Sequence, residues 1–216
     1  MLAFPESAVF NRVIPKVKFY ENLPMTSKLR RLFIDQINEV RWRYKIAPST
    51  VNVASGKNAV EIEVFEVRLK TSRFDPDVLC QIDKAIPYYV LFLLAFEGKY
   101  QAWIGYKEFS EQKKGGGKVG NYYHTDWLTE EELPLKLEGL DVDAVYENFV
   151  RQIAGDELPI KHGEPLKESI RRDLQRQKIQ RMIAALEAKM WKEKQFNKQV
   201  QLNAEIKKLK MELEKS

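Results

Sequence analysis

At 216 residues, 44% hydrophobic and 31% charged, the chain is long enough for one domain with a real core plus an appendage, and too apolar to be disordered. The single cysteine, Cys80, excludes an intramolecular disulfide, and with only two histidines, His124 and His162, no Cys/His zinc site can be assembled. The net charge of +5 is unevenly spread: residues 165–216 hold fourteen Lys and Arg against seven Asp and Glu, which leaves 22 against 24 for residues 1–164.

The first sixteen residues lack a basic leader followed by an apolar run, and the most apolar stretch, Tyr88 to Phe96, is too short to span a bilayer. A soluble cytoplasmic protein with no membrane partner is expected, and Cys80, in an apolar helical pattern, is expected to be a buried thiol. Ile14-Pro15-Lys16-Val17-Lys18-Phe19-Tyr20 alternates apolar and basic positions like an edge strand or extended arm. Lys16 and Lys18 would then share a face as nucleic-acid contacts. Pro24 and Thr26-Ser27 open a helix expected over 27–46, with Leu29, Leu32, Phe33, Ile37, Val40 and Tyr44 on its apolar side and Pro48 beyond its end.

Ser55 to Asn58 reads as a turn, and residues 60–69 as a strand whose alternation slips at Phe65 and Glu66, the mark of a bulge. Asp75-Pro76-Asp77 opens a helix over 76–86. Tyr88 to Phe96 has the unbroken apolar character of a strand buried on both faces; Glu97-Gly98-Lys99 turns it into Tyr100 to Tyr106, a hairpin placed at the centre of the sheet. The Lys113 to Lys118 run is rich in Gly and Lys but lacks the Gly-Lys-Ser/Thr of a phosphate-cradling loop and lies between strands, so a plain loop is expected. Tyr122 to Leu128 follows as a last strand, and Asp141 caps a helix over 141–153.

Gly155 to Glu164, with Pro159 and Gly163, is the hinge to a tail that has no Pro after Pro165 and no Gly. Ile179, Ile183, Leu186 and Met190 form an apolar seam, and Leu202, Ile206, Leu209 and Leu213 repeat its rhythm. The twelve residues from Met190 to Leu202 fit no unbroken heptad, so the seam slips near Gln195 to Gln201. One helix of about fifty residues, about 75 Å long, is the simplest reading, and a helical hairpin broken at Asn197 or Asn203 is the alternative. Arg171, Arg172, Arg176, Lys178 and Arg181 are its densest basic run. They are either a solvated outer face or a set of phosphate contacts.

No nucleophile elbow and no dinucleotide-binding glycine pattern is present, and nothing implies a cofactor or a resident metal. The enzymatic alternative is a metal-dependent nuclease with Glu61, Glu63 and Glu66 as its acids. Arg68 stands where such sites usually carry a proton-transferring lysine.

Ile14 to Tyr20, Asp83-Lys84-Ala85-Ile86-Pro87-Tyr88, Asp126-Trp127-Leu128, Glu193-Lys194-Gln195-Phe196-Asn197-Lys198 and Leu202-Asn203-Ala204-Glu205 together resemble an uncharacterised bacterial family, domain of unknown function forty-three ninety-one. The resemblance supplies no activity and no catalytic residues. It implies a context of helicases and DNA methyltransferases in restriction-like, phage-defence gene clusters. The expectation is therefore a non-catalytic accessory subunit that docks a helicase or methyltransferase through its long helix and touches DNA with its basic face. A homodimeric coiled-coil adaptor is the other alternative. The expected fold is α+β, with a small mixed or antiparallel sheet and flanking helices in residues 1–154, a hinge at 155–164, and a long coiled-coil-like basic helix or helical hairpin at 165–216.

Overall fold

The computed structural model describes residues 2–109, 118–159 and 164–215. The chain divides into two units, Met1–Gly155 and Asp156–Ser216. In chain order the first holds β1 (Val9–Ile14), α1 (Lys16–Asn22), α2 (Ser27–Gln36), β2 (Ile37–Ile46), β3 (Ile62–Leu69), α3 (Asp77–Ala85), β4 (Tyr89–Phe96), β5 (Lys99–Glu108), β6 (Lys118–His124) and α4 (Val142–Ala154). The second holds α5 (Leu166–Lys192) and α6 (Phe196–Lys215).

The strands form one mixed sheet in the order β1-β2-β3-β4-β5-β6, antiparallel throughout except between β3 and β4. A parallel pair needs a crossover, and α3 supplies it. The pair β3–β4 lies at the middle of the sheet, with the β4–β5 hairpin beside it. At the turn of that hairpin Glu97 and Gly98 both take positive φ, 47° and 78°, the backbone of a type I′ turn, which matches strand twist. Val40, Phe65, Val67, Val90, Phe92 and Leu94 face the helices α1, α2 and α3 and form the main core with Phe33, Leu79 and Ile82. On the opposite side α4 packs on β5 and β6, with Tyr146 stacked on Tyr89 at 3.6 Å and Phe149 against Phe4. Cys80 is half-buried.

Three local expectations are corrected. The helix expected over 27–46 ends at Gln36, and residues 37–46 are β2. Val40-Arg41-Trp42-Arg43-Tyr44-Lys45-Ile46 alternates with period two and is rich in β-branched and aromatic residues, which favour a pleated surface. Ile37, Val40 and Tyr44 have helical spacing, and the strand accommodates it through register shifts between Ile37 and Glu39 and between Trp42 and Tyr44 in its pairing with β3. The bulge expected in β3 lies in this strand instead, between Trp42 and Tyr44, while β3 pairs with β4 without a break from Ile62 to Arg68. The third correction concerns Ile14 to Tyr20. The edge strand stops at Ile14, and Pro15 starts the short helix α1.

That helix gives Lys16 a different task from the one expected. Because α2 runs into β2 with no loop, its last carbonyls lack the usual left-handed cap. Lys16 Nζ donates to the carbonyls of Phe33 (3.1 Å) and Ile37 (2.5 Å), and Lys70 Nζ to that of Ile34 (2.8 Å). Burial, together with the nearby Lys70 charge, lowers the Lys16 pKa. Lys16→Met is expected to cost about 1–2 kcal/mol in urea unfolding. Lys18→Met, at an exposed position whose partner is Glu21 at 3.5 Å, should stay within about 0.5 kcal/mol of wild type.

The tail is not one helix. It is a hairpin: α5 and α6 pack on each other, with Ile179, Ile183 and Ile206 buried between them and Leu186, Met190, Leu209 and Leu213 packed around these. The break falls at Glu193 to Gln195, ahead of both asparagines considered for it. The Lys113 to Gly117 part of the Gly/Lys run and residues 160–163 of the hinge, His162 included, lie outside the described residues.

Candidate functional site

The three acids of the nuclease alternative do not meet. Alternation along β3 sends Glu63 to the face of α2 and α3 and Glu66 to the opposite one. The Glu61 carboxyl group adjoins that of Glu63, and Lys45, opposite Glu63 in β2, pairs with Glu61 at 2.5 Å. Burial first, then the hydrogen bond and charge of Glu61, push the Glu63 pKa up to about 8 against the pull of Lys45. Glu63 therefore keeps its proton at neutral pH. Among the described residues no three His, Cys, Asp or Glu side chains gather as metal ligands.

On the other face Glu66 is the hub of an arginine cluster. Its two oxygens accept from Arg43 Nη1 (2.9 Å) and Arg68 Nε (2.6 Å), while Arg43 Nη2 also donates to Glu130 (2.5 Å) and Arg41 to Glu39 (3.0 Å) and Asn11 (3.1 Å). Arg43 lies over the rings of Tyr44 and Tyr100. Asn11, Arg41, Arg43, Glu66, Arg68 and the two tyrosines line a recess of about 360 Å³ with Val9. Each guanidinium of the lining is paired, Arg41 with Glu39, Arg43 with Glu66 and Glu130, and Arg68 with Glu66, although of these carboxylates only Glu66 lines the recess. Sequence reasoning missed it, because reading 37–46 as a helix separated Arg41 and Arg43 from Glu66.

A second polar knot is fully inside the first unit. Lys107 Nζ donates to Asp83 Oδ1 (2.8 Å) and to the carbonyls of Asp83 (2.7 Å), Ile86 (2.6 Å) and Tyr88 (2.7 Å). Tyr122 donates its hydroxyl to Asp83 Oδ2 at 2.8 Å, and Tyr146 donates to the Gly105 carbonyl and accepts from the Lys107 amide. Gly105 is what lets these groups close up: a Cβ there would stand 2.8 Å from Tyr122 Cζ and 3.0 Å from Asp83 Oδ2. Burial raises the Asp83 pKa and lowers that of Lys107. Four acceptors around one nitrogen hold the ammonium form, since a neutral amine would turn a lone pair toward one of them. Every member has partners inside the fold, so this knot ties the end of α3 to β5 and is a structural device.

The second unit carries the exposed charge. The seam residues Ile179, Ile183, Leu186, Met190, Ile206, Leu209 and Leu213 find their partner surface within the same chain, with Leu202 half-buried, and Lys210 bridges to Glu187 at 2.8 Å across the two helices. Of the basic run, Arg172 pairs with Glu164 and donates to the Pro159 carbonyl. Arg171, Lys178 and Arg181 are exposed and Arg176 half-buried. At the turn Glu193 holds both helices. Its amide donates to the carbonyls of Lys189 and Met190, its Oε1 accepts from the Gln195 amide at 2.9 Å, and its carbonyl accepts from the Gln199 side chain at 2.7 Å. The amide of Gln195 keeps the Glu193 carboxylate below its ordinary pKa.

A family model described as Domain of unknown function (DUF4391) matches residues 2–213. The chain belongs to this family. No curated protein and no solved structure matches it. In this member of the family, the Asp83 to Tyr88 stretch closes the buried knot, Leu128 pairs with Tyr100 of β5, and Glu193 to Lys198 is the turn of the tail hairpin with the start of α6. Among the described residues no helix is long and apolar enough to cross a membrane.

Proposed function

We propose that the protein is a non-catalytic accessory subunit of a bacterial restriction-like or phage-defence DNA-processing complex, joined to a helicase or methyltransferase and to DNA through its tail hairpin. One observation carries this reading. The hairpin satisfies its own seam yet still presents Arg171, Lys178 and Arg181 to solvent along α5, together with large apolar side chains at its turn. Its own packing does not need those groups, and an exposed basic helix face attracts phosphates. The family resemblance adds the helicase and methyltransferase context. The homodimeric adaptor is weakened, because the seam that would have paired two chains is occupied within one.

The test is recovery of tagged protein from its native host after nuclease treatment, together with duplex-DNA binding by the purified chain at two salt concentrations. Wild type should bring down a helicase or methyltransferase and bind duplex with an affinity that falls as salt rises. Arg171→Glu/Lys178→Glu/Arg181→Glu should lower duplex affinity by at least about tenfold and flatten the salt dependence. Failure to recover such a partner would remove the subunit reading.

A further inference from the structure

The turn of the hairpin carries exposed rings whose occupant the accessory role does not name. Trp191 is 86% and Phe196 74% exposed, the two most exposed aromatic rings among the described residues. Rings of this size are normally buried, and leaving both in water costs free energy that helix packing within the tail does not recover. They line one recess of about 350 Å³ with Met190, Gln199, Val200 and Asn203. Lys189, Lys192, Lys194 and Lys198, all exposed, lie next to or near its lining residues along the chain. The one acid in the turn, Glu193, already accepts the Gln195 amide.

We propose that this tip is a binding site for single-stranded nucleic acid, in which Trp191 and Phe196 stack on unpaired bases and the surrounding lysines hold the phosphates. The inference rests on the DNA-contact reading above and assigns it a second, distinct surface. Aromatic faces beside a basic rim are how strands are held without sequence preference, because every base has a π-face. A duplex hides those faces, so the rings add nothing to duplex binding. The Asn203 amide in the recess matches base edges, while Gln199 already gives its side-chain N–H to the Glu193 carbonyl. In the acyl region of a membrane the Asn203 amide would be taken out of water, which disfavours a lipid surface.

Fluorescence anisotropy of the full chain with a labelled oligo-dT strand and a duplex of equal length provides the test, with Trp191→Ala and Phe196→Ala as variants. Both side chains are exposed, so the fold should survive, and circular dichroism checks that it does. Each substitution should weaken oligo-dT binding by about 5- to 150-fold, the range that base–aromatic stacking commands. Duplex affinity should be unchanged, and the logarithmic salt slope for oligo-dT should be about −2 to −3 for four lysine contacts. Unaltered oligo-dT affinity in both variants overturns the proposal while leaving the α5 reading intact, provided the Arg171/Lys178/Arg181 variant still loses duplex. Loss of the captured protein partner, of binding to anionic vesicles, or of a self-associated species in the tip variants, without any change in oligo-dT affinity, also overturns it and hands the tip to that occupant.

Discussion

Lys107→Met is expected to lower the free energy of unfolding by about 3–5 kcal/mol, a large share of the stability of a domain this size. The ammonium is what makes four acceptors compatible in one buried space: the Asp83 carboxylate and the carbonyls of Asp83, Ile86 and Tyr88, all within 2.8 Å of Nζ. Methionine keeps most of the volume and removes every donor. Asp83 is then left with the Tyr122 hydroxyl as its side-chain partner and no opposing charge. Asp83→Asn should cost less, since the three carbonyls still hold the ammonium. In the double variant the two losses should fall short of their sum by at least about 1 kcal/mol, because each substitution removes the same interaction.

The pH dependence separates this account from a simple packing defect. Without Lys107, burial still raises the Asp83 pKa above its ordinary value of 3.8. Below that value both folded and unfolded states are protonated, and the Lys107→Met penalty should be smallest there. It should grow as pH rises and the unfolded chain releases a proton that the folded chain keeps. A penalty that is small, or equal at about pH 4 and pH 7, would refute the role given to the pair.

The same knot shows what a single sequence discloses and what it withholds. Asp83 and Lys84 stand out in the sequence because two charges precede an apolar strand, and a local ion pair is the simplest explanation. The partner of Asp83 is instead Lys107, 24 residues on, and nothing local to either residue names the other. The centre of the sheet was legible because Tyr89 to Phe96 is apolar at every position and Glu97-Gly98 fixes the turn. Residues 37–46 were not, since Ile37, Val40 and Tyr44 have helical spacing, and only pairing with a distant strand, through two register shifts, makes them a strand. The arginine recess was lost with that strand.

The tail was half legible. The slip between Met190 and Leu202 is visible in the spacing of the seam and is the mark of the turn. What concealed the hairpin is that Glu193, Lys194 and Gln195 break the helix without Gly or Pro, through side-chain and backbone hydrogen bonds that have no compositional signature. The seam asks for a partner, and α6 is that partner. In the sequence the rings of Trp191 and Phe196 only interrupt the pattern, although two large apolar residues off the seam already stand where no packing surface is at hand.

Glu63→Gln is expected to stabilise the protein, and only above acid pH. Glutamate in the unfolded chain titrates near 4.5, whereas Glu63 in the fold titrates at about 8. Below 4.5 both states hold the proton and the group makes no difference. Between the two values the unfolded chain releases a proton that the folded chain retains, so stability falls with rising pH, and the loss is complete once pH passes the folded value. Glutamine fixes the neutral form and still offers Glu61 a donor. The gain should be on the order of 2–3 kcal/mol at pH 8 and below about 0.5 kcal/mol at pH 4, read from urea unfolding at each pH. Lys45→Met should act in the opposite sense, because Lys45 is the cation that restrains the upward shift. A gain from Glu63→Gln that is the same at about pH 4 and pH 8 would show that Glu63 does not titrate in this range. The result also bears on the nuclease alternative: a Glu61–Glu63 pair that keeps one proton at neutral pH and is matched by Lys45 carries no net charge with which to seat a divalent cation. Millimolar Mg²⁺ should therefore leave the melting temperature of the wild type unmoved, and a magnesium-dependent rise that disappears in Glu63→Gln would reinstate the nuclease.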